Sequence, residues 1–253
     1  MTRRSMTTCA AAMLLLLGQA GSAAAADIHV LCSLGFKAVF EELAPQFERV
    51  SGNKVVVEFG LAATLKQQIE GGKDFDVAIL TPAGVDDLIK QGKMAADSRA
   101  VIARTGLGLM IRSGAQKPDL SSTDAFKRAL LGSKGIAFAK EGASGVAFVA
   151  TVEKLGMTET LKSKMKPTST GEEVNALVLR GEADFGVLPL SEILPVKGAE
   201  LGGMFPPDVQ TYITMAGAAN PKSKQNEGAG AFLKFLMAPA ATSVVKAKGM
   251  DRS

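Results

Sequence analysis

Ser33 is the residue of this chain best placed by its surroundings to meet a ligand. It follows an apolar run, Ile28 to Cys32, that reads as a strand. Behind it come Gly35 and a helical pattern of Phe36, Val39, Phe40, Leu43, Phe47 and Val50. A hydroxyl between a strand's carboxyl end and a helix's amino end lies beside unpaired N–H groups and the positive end of the helix dipole. That arrangement suits an anion. Hydroxyls recur at two further expected helix starts, in Thr81-Pro82 and in Gly142-Ala143-Ser144-Gly145, where Gly145 allows close approach of the backbone. Arg104 lies on a long extended segment. Its guanidinium either grips a carboxylate or oxyanion through two hydrogen bonds or forms a surface ion pair.

The groups that move protons or attack are scarce. His29 is the single histidine, and no Gly-x-Ser-x-Gly turn exists, Gly142 to Gly145 being one residue short. No phosphate loop of the Gly-x-x-x-x-Gly-Lys-Ser/Thr kind is present. Cys32 and His29 cannot make a metal set between them, and Asp74, Asp76, Asp86 and Asp87 lack the order of a calcium loop. The residues point to a binder with no catalytic group, metal or cofactor.

Residues 1–26 have a basic start (Arg3, Arg4), an apolar stretch from Ala10 to Leu17 and a small-residue exit. This is the form of a secretory leader cleaved before Asp27, and its apolar run is too short to span a membrane. The route is open between general and twin-arginine export. Losing Arg3 and Arg4 lowers the formal charge from +4 to +2, too mild to argue for nucleic acid. Cys32 is then the one cysteine left, so no internal disulfide can form, and it reads as a small buried strand residue. The expected product is an exported, soluble monomer.

Three strand–turn–helix units occupy residues 27–92, with strands near Ile28, at Lys54 to Phe59 and at Phe75 to Leu80, which predicts a parallel sheet. Pro45 predicts a kink or early break in the first helix. Val101 to Arg112, with Gly106 and Gly108 inside it, is long enough to leave one lobe and enter another. The unit then recurs: strands at Gly135 to Ala139 and Phe185 to Leu190, and a helix behind Thr170-Gly171-Glu172-Glu173, which has capping-box spacing. Val209 to Ala216 reads as a strand returning to the first lobe, followed by two helices within 227–248.

The leader, the Ser33 turn, Val55-Val56-Val57-Glu58-Phe59-Gly60-Leu61-Ala62-Ala63-Thr64-Leu65-Lys66 and Glu173-Val174-Asn175-Ala176-Leu177 resemble periplasmic solute-binding proteins, more narrowly the molybdate-binding proteins of ABC importers. The resemblance spans nearly all of 27–250. It implies a two-lobe α/β periplasmic-binding fold of type II, each lobe a mostly parallel sheet flanked by helices, joined by two crossing hinge segments. Lobe I would comprise 27–104 plus 209–253, and lobe II 105–208. It further implies a small anion, a molybdate-like oxyanion held without counter-charge between the lobes; a small organic acid is the expected ligand if Arg104 faces the cleft. The closed form would be recognised by an ABC permease in the inner membrane. Carried over, the family's donors fall on Ser33, on the turn bearing Ala62, Ala63 and Thr64, on Ser144 and on Val174. The turn has lost its serine unless Thr64 substitutes, and the family's tyrosine falls on Pro189, which has neither hydroxyl nor N–H. A sensor that reports occupancy to a membrane receptor fits the same residues.

Overall fold

The computed structural model describes residues 26–252, so the expected leader falls, but for Ala26, outside the described residues. β1 (Asp27–Ser33) passes through a 3-10 turn at Leu34–Phe36 into α1 (Lys37–Ser51). β2 (Lys54–Gly60) is followed by α2 (Ala62–Glu70), and β3 (Val77–Leu80) by α3 (Pro82–Lys90). β4 (Ala100–Arg112) leads to α4 (Thr123–Gly132), β5 (Ile136–Ala139), α5 (Ala143–Lys154), α6 (Thr158–Leu161), β6 (Met165–Thr168) and α7 (Gly171–Leu179). β7 (Phe185–Pro189), α8 (Leu190–Ile193), β8 (Ala199–Met204), β9 (Tyr212–Ala219), α9 (Asn226–Met237) and α10 (Thr242–Ala247) complete the chain.

The strands run in the order β2-β1-β3-β9-β4-β7-β5-β6, with β8 on β4. β1 pairs in parallel with β2 and β3, and β5 in parallel with β6 and β7. β9 lies antiparallel between β3 and β4, while the far half of β4 lies antiparallel between β7 and β8. Each lobe therefore carries a single strand against the common direction. β4 is the shared element: Ala100 to Gly106 pair with β9, and Leu107 to Arg112 with β7 and β8. Its glycines serve packing, since a Cβ on Gly108 would stand 2.7 Å from the Leu201 side chain.

Pro45 does not break α1, which runs on to Ser51. The missing backbone bond costs about 3 kcal/mol. It is outweighed because the helix buries Val39, Phe40, Leu43, Ala44 and Phe47, each large side chain contributing about 1.5–3 kcal/mol. Phe40 and Phe47 meet Phe232 of α9 edge to face, with ring centroids 5.6 and 5.1 Å apart. In lobe II, Phe126, Phe148 and Phe205 form the matching aromatic cluster. The end of the chain is tied to the hinge, where Arg104 and Asp251 exchange two backbone hydrogen bonds of 2.8 and 2.7 Å. Among the described residues no single helix is long and apolar enough to cross a membrane.

Candidate functional site

The parallel strands of both lobes end at one cavity of about 440 Å3, within the size range of small-molecule pockets. Each strand feeds a helix whose first turn faces it. Ala62 and Ala63 open α2, Ala83 and Gly84 lie in the first turn of α3, Ala143 and Ser144 open α5, and Gly171 opens α7; all of them line the cavity. The first N–H groups of a helix have no partner within it. α2 and α5 begin at Leu61 and Gly142 with no side-chain cap, so those amides remain available. Each helix start carries about half a positive charge. Four of them, two per lobe, face the same space.

Six of the ten residues singled out in the sequence line this cavity: Ser33, Ala62, Ala63, Thr81, Ser144 and Pro189. Ser33 is buried at the carboxyl end of β1, and its hydroxyl does not cap the turn that follows. Ser144 is buried in the first turn of α5. Thr81 caps α3, its Oγ1 accepting from the Gly84 N–H at 3.4 Å, which leaves the hydroxyl hydrogen free to point elsewhere. Pro189 ends β7 and precedes α8, offering the cavity an apolar ring.

Four do not line it. Thr64 is exposed on the far side of the first turn of α2. Arg104 is exposed on β4 and stacks on the Tyr212 ring, 4.6 Å from its centroid. Alternation along the strand sends its guanidinium away from the buried Ala103 and Thr105. Gly145 is a packing residue, since a Cβ there would overlap the carbonyl oxygen of Ala139. Val174 is fully buried in lobe II, and its N–H is directed to the Thr170 carbonyl at 3.3 Å. The residue that α7 brings to the cavity is Gly171, three positions earlier.

Glu192, Lys66 and Glu141 also line the cavity and were not singled out in the sequence. Lys66 is engaged by Glu70 at 2.8 Å and lies 3.8 Å from Asp87. Glu192 has no such partner. Burial, with added repulsion from Glu172, pushes its carboxyl up to about 7. The lone signal in the sequence was an acid three residues beyond a buried strand, in Pro189-Leu190-Ser191-Glu192, with no cation nearby. Among the described residues no group of three metal-ligating side chains occurs. Asp76 is structural, accepting from the His29 N–H at 2.8 Å and from the Ser223 hydroxyl at 2.5 Å. Asp86 is held by Arg99, whose hydrogen bond lowers its pKa. Burial raises the Cys32 thiol well above its usual range, which disfavours the thiolate.

The family model described as "Bacterial extracellular solute-binding protein" matches residues 28–251. A Pseudomonas protein named aconitate isomerase is 29% identical over 231 residues, covering 88% of this chain and 87% of its own. The molybdate-binding protein of Azotobacter vinelandii is 31% identical over 235 residues, covering 90% of this chain and 91% of its own. A solved structure of the periplasmic molybdate-binding protein from the same organism superposes with a TM-score of 0.76 at 22% identity, covering 89% of this chain and 99% of that one.

Proposed function

The chain belongs to the bacterial extracellular solute-binding proteins, and on that premise we propose that it captures a small anion between its two lobes for an ABC importer. The observation that carries this reading is the convergence of four helix starts, from α2, α3, α5 and α7, on one cavity. Among its described lining residues Lys66 is the one cation, against the acids Asp87, Glu141 and Glu192. Attraction for an anion therefore has to come from backbone N–H groups, hydroxyls and helix dipoles. The cavity has room for a small organic polycarboxylate as well as for a single oxyanion, and the apolar Ala62, Ala63 and Pro189 favour the organic acid. Residues 1–26 would direct the chain to the periplasm, where the closed, loaded monomer meets its permease in the inner membrane or, alternatively, a sensor receptor. Calorimetric titration of ligand-stripped protein with molybdate, tungstate, sulfate and a series of organic acids tests this, and silence across the whole panel would refute it.

A second reading is favoured by Glu192. The relative named aconitate isomerase makes an isomerase acting on an unsaturated polycarboxylate the enzymatic alternative. A carboxyl that gives and takes a proton near neutrality, facing the bound acid, is the group such a proton shift needs. Incubation with aconitate, followed by NMR in wild-type protein and Glu192→Gln, separates the two readings. Isomerisation lost in the variant supports the enzyme, and binding without isomerisation supports the carrier.

A further inference from the structure

We propose that anion capture in this cavity is proton-coupled, with Glu192 holding one proton and donating it as a hydrogen bond to the bound anion. This rests on the anion reading of the same cavity and adds a residue and a regulation to it.

The position of Glu192 carries the proposal. Its carboxyl bridges the lobes: Oε2 lies 3.0 Å from where a Cβ on Gly171 of α7 would stand, and Oε1 3.6 Å from where one on Gly35 would stand, beside Ser33. Glycine at position 171 leaves room for the carboxyl. Glu192 also walls a neighbouring cavity of about 550 Å3 shared with Lys37, Glu41, Glu172 and Asn175. The Asn175 Oδ1 there is buried with no hydrogen-bond partner among the described residues.

The charges facing Glu192 cannot neutralise it. Glu172 on α7 repels it. On α1, Lys37 pairs with Glu41 at 3.9 Å, and across the main cavity Lys66 is held by Glu70 at 2.8 Å beside Asp87, with Glu141 nearby. An ionised Glu192 would therefore confront an incoming anion at short range, whereas the neutral acid offers it an O–H donor. That donor takes the place of the hydroxyl absent at Ala62 and Ala63 and of the N–H absent at Pro189. In the free cleft the carboxyl already titrates at about 7, and a bound anion must raise it further. Affinity is then flat below neutrality and falls about tenfold per pH unit above it, until the pKa of the bound state is reached.

The test uses the full chain without its leader, stripped of ligand, and whichever of molybdate, sulfate and oxalate, all fully ionised across the pH range used, binds most tightly at pH 6. Titrations in two buffers of different ionisation enthalpy give the protons taken up on binding. We expect uptake near one proton per anion at pH 8 and near zero at pH 5.5. Glu192→Gln, which keeps an N–H donor, should bind with an affinity independent of pH and no uptake, while Glu192→Leu should lose at least about tenfold at pH 6. Thermal melts verify that both variants fold. Uptake that persists in Glu192→Gln, or wild-type binding independent of pH, overturns the proposal alone. If no probe binds folded wild-type protein, the anion reading and this proposal fall together.

Discussion

Ser191 donates a hydrogen bond of 3.0 Å from its hydroxyl to the carbonyl oxygen of Gly35. The short helix that carries Glu192 is thereby fixed to the turn that follows Ser33, across the boundary between lobes. The Ser191 N–H in turn donates to Thr105 Oγ1 at 3.3 Å, and the Thr105 hydroxyl donates to the Gly249 carbonyl at 2.9 Å. A buried polar chain thus links α8, the hinge strand β4 and the segment just beyond α10.

Ser191→Ala breaks that chain and leaves the Gly35 carbonyl unsatisfied. It should cost about 1–3 kcal/mol in urea unfolding, because a buried acceptor without a donor keeps its full desolvation penalty. Anion affinity should fall with it, since Ser33 and Glu192 lose their common anchor.

Ser33→Ala and Ser144→Ala each remove a hydroxyl from the cavity wall without opening a core void. A hydrogen bond to a charged ligand contributes about 1.5–3 kcal/mol, so each variant should weaken calorimetric anion binding by roughly ten- to 150-fold. Arg104→Ala serves as the control. Its guanidinium lies on Tyr212 outside the cavity, and its loss should leave anion affinity unchanged.

Gly145→Ala should destabilise lobe II by about 3 kcal/mol or more in a denaturant titration, because the added methyl meets the Ala139 carbonyl, part of a strand that cannot yield. Serine at the neighbouring position 144 tolerates alanine with little loss of stability. The contrast separates a packing residue from a ligand-facing one.

The free protein should become less stable between pH 4.5 and 7 on account of Glu192. Its folded carboxyl titrates at about 7, above the ordinary 4.5, so the native state binds this proton more tightly than the unfolded chain does. The contribution is full below pH 4.5 and is lost as the pH rises through 7. At about 1.36 kcal/mol per pKa unit the loss is about 3 kcal/mol at most, less where water enters the open cleft. Glu192→Gln removes this pH dependence and should melt higher than wild type at pH 8, with little difference at pH 4.5.

The strand–turn–helix repeats were legible because apolar spacing and turn residues are local signals. The long segment through Gly106 and Gly108 was equally legible as a crossing strand. Ser33, Thr81 and Ser144 could be read as cleft residues because each follows a buried strand and begins a helix. Arg104 could not be placed, since which side of β4 faces the cavity depends on register with β9, a tertiary fact. Gly145 carried the same ambiguity, because close approach to a ligand and close approach to a neighbouring strand demand the same residue. Glu192 escaped notice for a related reason. An acid in a surface-like stretch becomes unusual only once Leu188, Ile213 and Met215 are seen to line the cavity with it.

The most direct test of anion capture is the melting temperature of ligand-stripped protein with and without a saturating anion, since a ligand that binds the folded state alone raises it by mass action. At least one anion among molybdate, tungstate, sulfate and the organic polycarboxylates should raise it at pH 6, and Ser33→Ala and Ser144→Ala should shrink that rise. An unchanged melting temperature with every anion, or a rise that both variants leave intact, would contradict capture at the helix starts between the lobes.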